Sequence, residues 1–192
     1  MKKILIIFLL LTLSSLALFG CQKTEQVVDE ERLPEPNELK TTTEVMEGDF
    51  IYRLVSEKNH YGEGEDVKIF AELEYIGPED EVEIRHGSSP FLFPMKETTR
   101  NYEIEYAVTM EEMRTVLKKG EPLRQEARGG GSYSDHDPEE YKGFIKKIMK
   151  EDYPSGHYIV DGYASFDVTG NNDKEKEYTI EAEIGFYVDG EE

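Results

Sequence analysis

The chain has 192 residues and a formal net charge of −20, with 42 acidic side chains against 22 lysines and arginines. Binding to nucleic acid depends on clustered Lys and Arg that neutralise phosphates, so this balance argues against a nucleic-acid partner. It also disfavours direct attraction to an anionic bilayer surface. The chain contains one cysteine, which excludes an intrachain disulfide framework.

The N-terminus joins a short positive segment, 1–3, to an apolar run over residues 4–19. The run of about sixteen residues is shorter than the ~20 that a membrane-spanning helix needs. A positive start, an apolar middle and a small residue before a cleavage point are the arrangement of a signal peptide. We therefore predict a signal peptide over residues 1–20, with cleavage between Gly20 and Cys21.

The segment Leu18-Phe19-Gly20-Cys21 resembles the lipobox of bacterial lipoproteins, although Phe19 is bulkier than the residue usual at that place. The resemblance implies that Cys21 carries a diacylglyceryl anchor with palmitate-type chains. It also implies that the protein is held at the extracytoplasmic face of the cell membrane. Two acyl chains give stable anchoring, since one chain binds a bilayer only marginally. The alternative is a secreted or N-terminally anchored protein with an incidental thiol.

Residues 22–47 are rich in Glu, Thr, Lys and Pro and show no hydrophobic period. We predict that residues 21–47, beginning at the lipidated cysteine, form a disordered tether that holds the domain off the membrane. Residues 48–190 are long enough for one domain with its own core.

Alternation of apolar and polar side chains predicts β-strands throughout this domain. Gly/Pro/Asn/Asp-rich turn signals separate the strands, as at 77–80 and 169–173. We predict a mainly β fold, an antiparallel sandwich of about seven strands, with Gly162 marking a bulge. The alternating or apolar runs are 50–55, 67–75, 82–86, 102–108, 115–117, 158–168 and 178–188.

The segment 62–67, Gly-Glu-Gly-Glu-Asp-Val, resembles the opening of many bacterial immunoglobulin-like domains. The segments 118–121 and 153–158 resemble the strand, Gly-containing turn and strand of that superfamily. Over residues 50–190 the nearest resemblance is to the BsuPI-type proteinase-inhibitor-like sandwich, without the paired cysteines and core Trp of antibody domains. The resemblance implies an immunoglobulin-like architecture and, for the BsuPI type, inhibition or regulation of secreted proteases.

One amphipathic helix is predicted over about 138–151. Asp137 suits the N-cap, Pro138 suits the first helical position, and an apolar stripe of period 3.6 follows. The stripe consists of Tyr141, Phe144, Ile145, Ile148 and Met149. The opposite side carries the candidate interaction residues Lys142, Lys146, Lys147 and Lys150. They form a docking face for an acidic partner or wall polymer, or else the helix caps the sandwich and the lysines are simply solvated.

Phe91 and Phe93, flanked by two prolines, are the second candidate interaction surface. If exposed, they form an apolar patch suited to protein binding, as a rigid protease-inhibitor loop also requires. The alternative is an edge strand that packs inward.

No motif predicts catalysis, a cofactor or a metal site. The glycines at 129–131 lack the Gly-Lys-Ser/Thr ending of a P-loop and are expected to form a flexible loop. Asp135, Asp137 and Glu139 lack the spacing of a calcium-binding EF-hand loop. The histidines show no metal-ligand spacing, and we expect them to be solvated in turns. They are His60, His86, His136 and His157.

The sequence therefore favours a membrane-anchored, non-enzymatic module that binds a protein or cell-wall component at the cell surface. The first alternative is an inhibitor or regulator of secreted proteases. The second is a hydrolase, which requires acids and histidines to converge in one pocket.

Overall fold

The structure is a computed structural model that describes residues 39–169 and 175–190. The predicted signal peptide, Cys21 and most of the predicted tether lie outside the described residues, as does most of the predicted turn at 169–173. The described elements are β1 Thr42–Glu47, β2 Phe50–Ser56, β3 His60–Tyr61, β4 Ile69–Tyr75, β5 Glu81–His86, β6 Phe91–Leu92, β7 Met95–Glu97, β8 Tyr102–Ile104, β9 Met113–Lys118, β10 Leu123–Glu126, α1 Glu139–Ile148, β11 Gly156–Thr169 and β12 Glu175–Val188.

These strands form two sheets. The first has the order β1-β2-β4-β10 and is antiparallel throughout. The second has the order β3-β12-β11-β5-β9, with β6 and β7 also pairing with β11 and β8 pairing with β7. The mainly β sandwich with one helix is thus confirmed. It holds more strands than predicted because β3, β6, β7 and β10 are too short to show alternation and β1 has few apolar side chains. β8 covers only the start of the predicted run 102–108. β3 runs parallel to β12, which departs from the predicted antiparallel arrangement.

The longest ladder joins β11 to β12 in an unbroken register from Gly156↔Val188 to Thr169↔Glu175. Successive side chains of a strand point to opposite faces, so this register puts every second residue into the core. The inward residues include Tyr158 and Val160 of β11 and Ile184 and Phe186 of β12, all nearly inaccessible to solvent. The core between the sheets is rich in aromatic rings, with Phe50 edge-on to both Phe166 and Tyr178 at 4.9 Å.

Gly162 lies in the middle of this ladder, where the two sheets approach each other closely. A Cβ atom at this position would meet Leu54 Cδ2 at 2.8 Å and Tyr52 Oη at 3.0 Å. Pairing is continuous through Gly162, so the predicted bulge is wrong. The glycine instead makes room for side chains of the facing sheet.

The first strand begins inside the region predicted as tether. Residues 42–47 pair with β2 from Thr42↔Val55 to Glu47↔Phe50. A two-residue turn joins the two strands, and its Gly48 has a φ of +57°. Upstream, Gly185 N donates to Lys40 O at 3.1 Å. β1 is an edge strand with few apolar side chains, which explains why the hydrophobic pattern gave no sign of it. The domain therefore begins before residue 48.

Helix α1 is shorter than predicted at both ends. Pro138 occupies the N-cap position without a side-chain hydrogen bond, and Asp137 instead accepts from Ser134 N at 2.5 Å. Phe144, Ile145 and Ile148 are buried as predicted, whereas Met149 is 52% exposed. The prediction of Asp137 as the N-cap is wrong, because the helix begins one residue later and the Asp137 carboxylate bonds to the preceding loop. The prediction of Met149 as a core residue is also wrong, because the helix ends at Ile148 and Met149 is its exposed C-cap.

The glycine run 129–131 is packed rather than free. Gly131 N donates to Glu105 O at 2.7 Å, and a Cβ atom on Gly129 would lie 2.5 Å from Ile148 O. The run therefore lies against both the segment after β8 and the end of α1. The absence of side chains, which suggested flexibility, here allows close contact of backbones.

Replacing Gly162 and Gly143 with alanine should change stability in opposite directions. Gly162→Ala overpacks the contact with Leu54 and should lower the free energy of unfolding by about 1–3 kcal/mol. Gly143→Ala lies on the exposed side of α1 with nothing within 4 Å of its Cβ, and should raise that free energy by about 0.5–1 kcal/mol. Urea denaturation measures both, and equal effects of the two changes would contradict the packing role of Gly162.

Candidate functional site

The four helix lysines differ in how free they are. Lys142 is largely covered, with Nζ 2.8 Å from Glu139 Oε1 and donating to Asp135 O at 3.2 Å. Lys147 Nζ lies 3.8 Å from Asp152 Oδ2. Lys146 Nζ lies 5.2 Å from the centre of the Tyr133 ring, and Lys150 is exposed. Neighbouring acids thus offset part of the predicted basic surface, and Lys142 is not part of any open face.

The Phe91 and Phe93 side chains are fully buried. The β6 pairing of Phe91 with Ala164 holds this segment against the second sheet, and the Phe93 ring packs edge-on against Tyr106 at 5.4 Å. The exposed apolar patch is therefore wrong, and the inward-packed alternative describes these residues. This segment cannot serve as an exposed inhibitory loop.

The histidines do not converge. His60 Nε2 lies 2.5 Å from Asp189 Oδ1, His86 Nε2 lies 2.9 Å from Thr115 Oγ1, and His136 is exposed. Within residues 39–169 and 175–190, no group of three or more His, Cys, Asp or Glu side chains is arranged to hold a metal ion. The remaining histidine, His157, is only 1% exposed, so its expected solvation is wrong.

His157 belongs to a buried polar cluster at the start of β11. Its Nδ1 lies 2.7 Å from Thr98 Oγ1, and its ring stacks on Tyr187 at 4.5 Å. Its Nε2 is buried with no hydrogen-bond partner among the described residues. Beside it, the buried Glu97 carboxylate accepts from Arg100 N at 2.8 Å and pairs with Arg100 Nη1 at 3.2 Å. Burial lowers the pKa of His157, and the Glu97 charge opposes this shift.

Stability should therefore fall on acidification in a way that depends on His157. The folded protein binds the imidazole proton less readily than the unfolded chain, so folding free energy is lost once the pH drops below about 6.5, the ordinary imidazole pKa. Urea unfolding between about pH 7.5 and 5.5, either side of that value, should show a shallower pH dependence in His157→Gln than in the wild type.

His136→Gln is the matched control for this experiment, because His136 is exposed and should leave the pH dependence unchanged. If the free energy of unfolding of the wild type and of His157→Gln changed in parallel with pH, the attribution of this pH dependence to His157 would be wrong.

An open groove lies on the outer face of the β11–β12 ladder, with a cavity volume of about 550 Å³. We call it the acidic groove. Its lining residues are Pro94, Asp161, Tyr163, Glu181, Ala182 and Glu183. The register sets Asp161 directly opposite Glu183, and Tyr163 directly opposite Glu181. Tyr163 is half-buried, and the three carboxylate residues are exposed.

The carboxylates of the acidic groove repel one another. Like charges on directly paired positions destabilise a sheet. No lysine or arginine of the described chain lies within ion-pair distance of Asp161, Glu181 or Glu183, and nearby Lys96 pairs with Glu103 instead. Burial raises the pKa of Asp161, and the charges of Glu103 and Glu181 add to the shift. A bound cation would relieve this repulsion.

Sequence reasoning missed the acidic groove. Positions 161, 181 and 183 look like ordinary solvent-facing positions of alternating strands, and only the register of the ladder brings them together. The sequence does show a row of glutamates on the outer face of β12, the most regular strand, and this row could have indicated the groove.

No family model matches the chain, and a search of curated proteins finds no similar sequence. None of the helices in the described ranges is both long and apolar enough to cross a membrane.

Proposed function

We propose that this protein is a lipid-anchored, extracytoplasmic binding module whose acidic groove holds a cationic segment of a partner protein. The observation that carries the proposal is the set of three carboxylates, without lysine or arginine partners in the described chain, around the ring of Tyr163. Repulsion between these carboxylates destabilises the free domain, and a positive charge that enters the groove would relieve it.

Arginine and lysine side chains match this groove chemically. A guanidinium donates two parallel hydrogen bonds to one carboxylate, and the remaining carboxylates add attraction without new contacts. An aromatic face such as that of Tyr163 also attracts a cation that stacks on it. Pro94 supplies apolar contact for the methylene stem of the same side chain.

The N-terminal segment joins the domain next to this groove. Thr43 Oγ1 donates to Glu183 O at 2.6 Å, so the start of β1 lies against the strand that carries two of the carboxylates. The lipobox-like segment ending at Cys21 supports anchoring of that same end of the chain. A bound partner would thus be held close to the anchored end of the domain.

Lipidation should depend on Cys21 alone, because it is the only thiol in the chain. In cells fed an alkyne-bearing palmitate analogue, the wild-type protein should become labelled and Cys21→Ser should not. In-gel fluorescence after click coupling measures the label, and immunoblotting corrects for the amount of protein. Equal labelling of Cys21→Ser, or an unlabelled wild type, would refute the anchor.

Reversing two groove charges should weaken binding of a cationic peptide. Hexa-arginine is the probe, measured by calorimetry with the full-length protein in a neutral detergent at constant ionic strength. The double variant Glu181→Lys/Glu183→Lys should lower affinity by about tenfold or more, since charged contacts are each worth about 1.5–3 kcal/mol.

Glu63→Lys/Glu79→Lys is the matched control, because it makes the same change in net charge at exposed positions outside the groove. Circular dichroism checks that both variants fold. The proposal is wrong if the control loses as much affinity as the groove variant.

A further inference from the structure

A second cavity has the opposite chemistry. It has a volume of about 810 Å³ and lies between residues 88–89, residues 106–108 and the stretch 124–128 that includes most of β10. The residues used below are Ser88, Tyr106, Arg124, Gln125, Glu126 and Arg128, and we call the space the arginine cavity. Its size falls in the range of small-molecule sites, about 300–1,000 Å³.

The two arginines that line this cavity differ in how free they are. The Arg124 guanidinium carbon lies 3.3 Å from the centre of the Phe70 ring, and Nη1 lies 3.5 Å from Glu72 Oε1, so this side chain is already held on the outer face of the first sheet. Arg128 is exposed and has no carboxylate within ion-pair distance in the described part of the chain. An arginine left unpaired in a chain of net charge −20 is a free cation aimed at solvent or a ligand.

Neutral donors surround these guanidinium groups. Gln125 Oε1 accepts from Ser89 Oγ at 3.0 Å, which leaves the amide NH₂ group available to donate. Ser88 Oγ accepts from Thr109 N at 3.1 Å, so its own O–H is free to donate. Burial raises the pKa of Tyr106, so the phenol keeps its proton at neutral pH.

We propose that the arginine cavity binds a small molecule that carries an oxyanion, held by the guanidinium group of Arg128, with the Gln125 amide and the Ser88 hydroxyl as neutral donors. Guanidinium groups match the planar, two-oxygen geometry of carboxylates and phosphates. Residues that carry donor groups line this space from three separate segments, against the single carboxylate of Glu126. The site shares no residue with the acidic groove and does not depend on the function proposed for it.

Glu126 gives the proposal a second test, opposite in sign to that of Arg128. Its carboxylate lines the cavity and repels an anion, so Glu126→Gln should tighten binding. Arg128→Gln should weaken it, by about tenfold, as expected for one lost charged hydrogen bond. Glu126→Gln removes a negative charge and Arg128→Gln removes a positive charge, at positions two residues apart.

The test is an NMR titration of the full-length, ¹⁵N-labelled protein in neutral detergent with inorganic phosphate and, separately, with citrate at constant ionic strength. Saturable shifts of the Arg128 Nε–H signal and of the Gln125 amide are expected with at least one probe. The stronger probe decides between a phosphate and a carboxylate ligand. Arg114→Gln is the control and should leave the affinity unchanged. Arg114 lies on the edge strand β9, outside the cavity, and pairs with Glu83.

The proposal is overturned if neither probe gives saturable shifts at tens of millimolar concentration. It is also overturned if Arg114→Gln weakens binding as much as Arg128→Gln, or if Glu126→Gln weakens rather than strengthens it. Equal weakening by Arg114→Gln would indicate general attraction to surface charge instead of a site.

Discussion

The register between β11 and β12 is the constraint on which the rest of the structure depends. β11 also pairs with β5, β6 and β7, and β12 pairs with β3, so the second sheet is assembled on this one ladder. A slip of β11 by one residue would turn Tyr158 and Val160 to solvent and carry Asp161 into the core. Gly162 fixes the same register from the other side, because only a glycine leaves room for Leu54 of the facing sheet.

The same register that builds the core also concentrates charge. Every residue that does not enter the core must face outward, and on this ladder the outward residues include Asp161, Glu181 and Glu183. Their mutual repulsion is offset by the apolar burial on the opposite face, which supplies about 25 cal/mol per Å² of apolar surface. The core thus supplies the stability that this charged surface costs, and a ligand of opposite charge would recover part of it.

The sequence was sufficient for the long strands and for the buried stripe of α1, because periods of 2 and 3.6 are local properties of the chain. Edge strand β1 was missed, since its few apolar residues give no period. The role of Gly162 was predicted wrongly, because the side chains that require a glycine there belong to the facing sheet. The acidic groove and the arginine cavity join residues distant in sequence, such as Ser88 and Arg128, through strand register and loop packing. No spacing rule could have shown either site.

Site-specific photocrosslinking in intact cells tests the central claim most directly. Tyr163 is replaced by p-benzoylphenylalanine, which keeps an aromatic side chain in the acidic groove, and crosslinked peptides are identified by mass spectrometry. Our account predicts crosslinks to Lys- or Arg-rich segments of an extracytoplasmic protein, which disappear when Glu181 and Glu183 are changed to lysine. Crosslinks that persist in that variant, or that form equally from position 150 just beyond α1, would contradict it.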